Sequence, residues 1–134
     1  MDNCIFCKIA IGKIPSHKVY EDDHVLAFLD INPRAKGHTI VIPKVHAENL
    51  LDLNDELLPH FILGIKRSME RIEEKLHPEG YNVGLNHNEA GGQEIPHLHM
   101  HIFPRYLDDG GKNTHAIVNA PGGASAEEVA KLFT

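Results

Sequence analysis

His97, His99 and His101 are the residues of this chain whose type and spacing point most directly to chemistry. They alternate with Leu98, Met100 and Ile102 in the run from Pro96 to Pro104. Strict alternation of this kind predicts a half-buried strand. Side chains at i, i+2 and i+4 of a strand share one face, roughly 7 Å apart. Three imidazoles would then line one face while Leu98, Met100 and Ile102 pack into the core from the other. Imidazole changes protonation near neutral pH, attacks as a nucleophile and ligates metals. A single ion held by all three is disfavoured, because the outer two would lie roughly 13 Å apart on a flat strand and metal–nitrogen bonds are near 2 Å.

The loop before this run, Asn88 to Gln93, carries Gly91 and Gly92. Glycines let backbone N–H groups approach a ligand closely, and such amides are good phosphate donors. Asn86 and Gln93 add side-chain donors without charge. Together with the adjacent histidines, the loop describes an anion site beside a nucleophile. Cys4 and Cys7 form a second constellation. Their spacing suits zinc, but two of four ligands are missing from the pair itself, and two reduced thiols are the alternative.

The elements that must position these residues follow from the rest of the chain. Its 134 residues fit one domain, 1–134, with enough chain for a real core. Hydrophobic content of 42% and charged content of 24% are ordinary for a globular protein. A net charge of −6 argues against a general nucleic-acid binder. No apolar run approaches the roughly 18 residues of a membrane span. The N-terminal residues lack the basic and apolar regions of a signal peptide, so the expectation is a cytoplasmic protein with no membrane partner, whose cysteines are thiols or metal ligands. Of the eleven histidines, His60 and His77 read as helix-surface or helix-end residues, and His17, His24 and His115 receive no role.

A short helix or turn is expected within Ile9–Ile14, and strands at Lys18–Glu21, Val25–Asp30 and His38–Pro43, joined by connections short enough for antiparallel pairing. Asn54 is placed to cap a long helix, with Asp55 and Glu56 in its first turn. Leu57, Phe61, Ile65, Met69, Ile72 and Leu76 recur at helical spacing up to about His77, and Pro78 and Gly80 would end the helix. Tyr81–Asn86 reads as a strand, Asp108–Gly123 as loop, and Ser125 as the cap of a final helix, Ala126–Phe133. The fold class is α+β: an antiparallel sheet with one long helix packed on it and a short C-terminal helix.

The run His97-Leu-His-Met-His-Ile-Phe103 resembles the signature of the histidine triad (HIT) superfamily. Cys4-Ile-Phe-Cys-Lys8, Ile14-Pro15, Tyr20-Glu-Asp-Asp23, Ala27-Phe-Leu-Asp-Ile31, Gly37-His-Thr39, Val41-Ile-Pro-Lys44 and Gly92-Gln93 are similar to that family's recurring segments, in order. The branch it most resembles is that of the histidine-triad nucleotide-binding proteins, which implies a HIT-like fold, a homodimer and nucleoside phosphoramidase activity. The resemblance implies that His99 attacks the α-phosphorus of a purine nucleoside 5′-phosphate derivative, that water then releases the monophosphate, and that no catalytic metal is needed. His101 would contact the phosphate and assist leaving-group or water protonation, as an imidazole whose pKa can lie near the working pH. Phe28, Ile31 and Ile14 would hold the base, Asp30 the ribose hydroxyls, and Asn86 and Gly92 the phosphate, with Gln93 and His38 near the site. It also implies His46 and His97 as the ligands that complete a structural zinc site with Cys4 and Cys7. Two rivals remain: a dinucleoside polyphosphate hydrolase, and a nucleotide-binding or scaffold protein with incidental turnover. Glu94 stands where many members place Ser or Thr, and the chain has no tryptophan. Both differences bear on leaving-group and side-group recognition.

Overall fold

The computed structural model describes residues 3–134. Five strands form one antiparallel sheet: β1 (Lys18–Glu21), β2 (Val25–Leu29), β3 (Thr39–Pro43), β4 (Gly80–Gly84) and β5 (Met100–Arg105). Their spatial order is β1-β2-β3-β5-β4, so β1 and β4 are the edges. Helix α1 (Ile5–Ala10) lies against one face and α2 (Leu58–Leu76) against the other. The period of two in β2 and β3 is what sorts their side chains. Val25, Ala27 and Val41 point to the cluster under α2 with Phe61, Ile65, Ile72, Leu98 and Ile102. Leu26, Phe28, Ile40 and Ile42 point the other way, to Phe6 and Ile9 of α1. Both strands are apolar on both faces because both faces are covered.

The apolar stripe expected on α2 is the one that packs, with Phe61, Ile65 and Ile72 buried. Gly64 and Ser68 join it, and the sequence pattern did not mark them. A Cβ at Gly64 would run into the Val25 side chain, so this glycine sets how closely α2 approaches β2. The Ser68 hydroxyl donates to the Gly64 carbonyl and is satisfied inside the helix.

Several boundaries differ from expectation. The first helix lies at Ile5–Ala10, ahead of Ile9–Ile14, because the extended Cys4 caps it with its thiol accepting from the Cys7 N–H at 3.3 Å. Asn54 caps a single 3₁₀ turn, Asp55–Leu57, which leads into α2 at Leu58 with Pro59 in its first turn. His77, in a left-handed conformation with φ 48°, ends α2 before Pro78 is reached. Strand β4 stops at Gly84, short of Asn86. The largest correction concerns the triad: β5 begins at Met100, so His97 and His99 precede the strand and only His101 lies within it. The alternation of burial nonetheless survives, since Leu98 and Ile102 pack toward α2.

Ser125 caps α3 (Ala126–Ala130) through a capping box with Glu128, and a 3₁₀ turn continues to Phe133. Residues 107–134 are exposed throughout, including Ile117, Leu132 and Phe133. Among the described residues, no helix is long and apolar enough to cross a membrane.

Candidate active site

His99 is held on a loop and presents one nitrogen. Its Nδ1 lies 2.7 Å from the His97 carbonyl. A carbonyl only accepts, so the proton sits on Nδ1 and the lone pair on Nε2. Nε2 has no protein partner, and none of the described buried side-chain nitrogens or oxygens lacks one, so Nε2 is open to the cleft that His99 lines. The Phe6 ring stands edge-on to the imidazole, with centroids 5.0 Å apart and planes at 77°.

A second chain of bonds fixes His101. The Arg34 N–H donates to His38 Nδ1 at 3.1 Å, which leaves the His38 proton on Nε2. That nitrogen lies 2.9 Å from His101 Nδ1 and donates to it, so His101 carries its own proton on Nε2, toward the cleft. Asp30 Oδ2 is 3.7 Å from His38 Nε2. Burial lowers the His38 pKa, against the opposing pull of Asp30. Burial, then the neighbouring His99 and His38, push His101 down to about 4. In the ligand-free protein His101 is therefore held as a neutral N–H donor. An arriving anion would raise its pKa again by favouring the charged form.

The third cluster lies on the far side of His99. His97 Nε2 is 2.9 Å from the Pro43 carbonyl and must donate to it, which turns an unprotonated Nδ1 toward the thiols. His97 Nδ1 is 3.3 Å from Cys4 Sγ and 3.5 Å from Cys7 Sγ, and His46 Nδ1 is 3.3 Å from Cys7 Sγ. All four ligand atoms lie within 4.8 Å of one another. Tetrahedral zinc with Zn–S near 2.3 Å and Zn–N near 2.0 Å places sulfur and nitrogen about 3.5 Å apart, so these residues fit the ion. Burial lowers His97 to about 4, which keeps it in the neutral form a ligand requires. Burial and the neighbouring Cys4 push the Cys7 thiol up to about 11, so without a cation Cys7 stays protonated.

Ile14, Phe28, Asp30, Ile31, His38, Asn86 and Gly92 all line the cleft with His99 and His101. Phe28 belongs also to the core under α1, whereas Ile31 is 83% exposed and packs into no core cluster. Gly92 has φ 90° and abuts the Asn86 amide, a backbone conformation that a side chain would strain. Gln93 is the exception. Its amide donates to the Glu48 and Ile95 carbonyls, its oxygen accepts from the Asn88 N–H, and the residue does not line the cleft. It closes the glycine loop and has no donor left for a phosphate. Glu94 does border the cleft. Sequence reasoning missed the wall supplied by α1, namely Ile5, Phe6 and Ile9. Phe6 sits between the two cysteines, and its partners His97 and His99 are distant in sequence. It also missed the pairing of His24 with His60, whose rings stack at 3.7 Å.

Residues 12–108 match the HIT domain. An HIT-like protein of Methanocaldococcus jannaschii is 54% identical over 107 residues, which cover 80% of this chain and 82% of that protein. The adenosine 5′-monophosphoramidase hnt1 of Schizosaccharomyces pombe is 42% identical over 103 residues, 77% of this chain and 74% of the yeast protein. A HIT family hydrolase of known structure from Legionella pneumophila superposes with a TM-score of 0.68 at 38% identity, covering 90% of this chain and all of its own. The chain belongs to the HIT family.

As a member of the HIT family, it carries the cleft-lining residues Asp30, His38, His99 and His101 inside the matched segment. His46 and His97 also fall within it, but Cys4 and Cys7 precede it. The HIT domain thus includes half of the thiol–imidazole cluster, and the other half comes from the N-terminal helix.

Proposed function

We propose that this HIT-family hydrolase cleaves nucleoside 5′-phosphoramidates, with a purine preferred, through a nucleotidyl-His99 intermediate. The observation that carries the reading is the His99 proton on Nδ1, tied to the His97 carbonyl, which leaves Nε2 as a free lone pair in the cleft. Nε2 attacks the α-phosphorus, the bond from phosphorus to the leaving amine breaks, and the amine departs with a proton. Water then attacks phosphorus and gives a proton to the His101 that protonated the amine, the P–Nε2 bond breaks, and the nucleoside monophosphate leaves. A phosphorus–nitrogen intermediate splits one difficult displacement into two easier ones. The charge that develops on the phosphate oxygens would meet donors at His101 Nε2 and the Asn86 side chain. The Gly92 N–H is taken by the Glu89 carbonyl at 2.9 Å, so Gly92 serves by letting the loop pass close to Asn86. The phosphate's own charge raises the His101 pKa, so substrate binding prepares His101 to protonate the amine. Phe28, Ile14 and Ile31 hold the base, and Asp30 accepts from the ribose hydroxyls.

Cys4, Cys7, His46 and His97 would hold zinc in a closed four-ligand site, and the ion would tie the N-terminus to the loop before β5. The working unit is a homodimer joined through α2 and the edge strand β4; Ile62 and Leu63 of α2 are exposed apolar residues that such a contact would cover. Light scattering at micromolar concentration should exceed the 14.9 kDa of one chain, and a 14.9 kDa particle would contradict the dimer.

Rapid quench of the protein with adenosine 5′-phosphoramidate, followed by peptide mapping, should find one adenylyl group on His99. An absent adduct, together with unimpaired turnover by His99→Ala, would overturn the proposal.

A further inference from the structure

Phe6 stands at the junction of two clusters. It lies within Cys4-Ile5-Phe6-Cys7, flanked by both thiols. Its ring meets His99 edge-on at 5.0 Å, Phe28 at 5.7 Å and His97 at 6.0 Å. The residue is buried, with 4% of its surface exposed. The helix that carries it has 6 residues, too few to hold together on local hydrogen bonds. Its attachments are the apolar side chains Phe6 and Ile9 and the contacts of Cys4 and Cys7 with His46 and His97. Losing the thiol contacts would free one end of α1, and Phe6 is on that end.

The His99 ring has three restraints: the Nδ1 bond to the His97 carbonyl, the Phe6 edge, and the His101 ring at 5.1 Å. Two of them depend on residues beside or within the thiol cluster. Given the His99 reading above, we propose that Phe6 is a positioning residue for the nucleophile and that the thiol-held turn carrying it couples zinc occupancy to nucleotide binding. Zinc fixes α1, α1 fixes Phe6, and Phe6 holds the His99 ring where Nε2 faces phosphorus. The same turn holds Ile5 and Phe6, which line the cleft, and Phe6 packs directly on Phe28, so base contact follows zinc as well.

The test uses the full chain in two arms. In the first, wild-type protein is stripped with a chelator and reloaded with zinc. Calorimetry with adenosine monophosphate should show affinity falling about tenfold on stripping, and the His99 Nδ1–H resonance should broaden; both should return with zinc, since small displacements at a site are amplified. In the second arm, Phe6→Leu keeps its zinc and its fold. At saturating phosphoramidate, its single-turnover rate of nucleotidyl-histidine formation should fall about tenfold, more than KM rises. A purely structural or base-wall role would move KM or melting temperature and leave that rate unchanged. Stripped protein with unaltered monophosphate affinity and an unaltered His99 signal overturns the coupling. Phe6→Leu with a wild-type single-turnover rate overturns the positioning role. If wild type forms no adduct at all, the catalytic reading fails on its own, while the affinity and resonance readings still decide the coupling.

Discussion

Two clusters flank His99, and each brings potential metal ligands within 4.8 Å: Cys4, Cys7, His46 and His97 on one side, Asp30, His38 and His101 on the other. By distance alone they are equivalent. Their protons make them opposites. In the first, the Pro43 carbonyl takes the His97 Nε2–H, and lone pairs converge on a shared centre. In the second, the Arg34 N–H fills the His38 lone pair, His38 fills that of His101, and the chain ends in an N–H pointing outward. The His38–His101 separation of 2.9 Å is also shorter than the about 3.3 Å edge that two nitrogens share on a tetrahedral ion. Converging lone pairs suit a cation, and an outward N–H suits an anion. The lesson is that the backbone partner of each imidazole, more than the imidazoles themselves, assigns its chemistry.

The nucleophile between the clusters should give the largest effect. His99→Ala should lower turnover by about a thousandfold or more, with adenosine monophosphate affinity largely kept, because covalent catalysis is lost while the pocket stays. Steady-state kinetics beside calorimetry checks this, and near-normal kcat would remove the assignment.

Separating the clusters sharpens the comparison next. His38→Ala should cut kcat about 10–100-fold, the usual range for a group that orients another, and leave about one zinc per chain. Cys4→Ser should lower zinc content and melting temperature. Metal analysis of both variants, purified without chelator, tests the division; zinc lost from His38→Ala would erase it.

The anion side has a pH signature. Burial lowers His101 to about 4, below the ordinary value of about 6.5. Between those values the unfolded chain takes up a proton that the folded chain does not. The stability this contributes is present above pH about 6.5 and is lost as pH falls toward 4, on the order of 2–3 kcal/mol for one such group. Urea unfolding at the two ends of that window should therefore show His101→Gln losing less stability than wild type. Equal losses would mean that His101 is not held neutral.

The smallest effect concerns the leaving group. Glu94 borders the cleft, and an ionised carboxylate there repels additional phosphates. Higher kcat/KM is expected for adenosine 5′-phosphoramidate than for diadenosine polyphosphates at one salt concentration, with Glu94→Ser narrowing the gap. A wild-type preference for the polyphosphate would favour that class of hydrolase instead.

Much of this arrangement was legible in the sequence, and the exceptions share a cause. Apolar and β-branched runs bounded by turn residues located the other strands of the sheet, and helical spacing located the buried stripe of α2, because burial on a covered face leaves its mark in the residues themselves. The start of β5 was not legible. His97 and His99 keep the alternation of a strand, but their backbone groups bond elsewhere: the Leu98 N–H goes to the Ala47 carbonyl and the His97 carbonyl to the His99 ring. Cleft residues such as Phe28 and Asp30 were found through family resemblance, and Ile31 is left exposed by the fold in a way that core packing does not explain. Gln93 was misplaced because an amide's partners depend on loop closure, a tertiary property. Phe6 was missed for the same reason, since its contacts with His97 and His99 span more than ninety positions of sequence.

The proton positions themselves can be read by long-range nitrogen–proton NMR of the histidine side chains near pH 7, with and without zinc. The account predicts neutral rings with the proton on Nε2 in His38, His97 and His101, an Nδ1–H in His99 held by the His97 carbonyl, and zinc shifting the Nδ1 signals of His46 and His97 while leaving His38 and His101 in place. A proton on His97 Nδ1, or zinc shifts at His38 and His101, would contradict it.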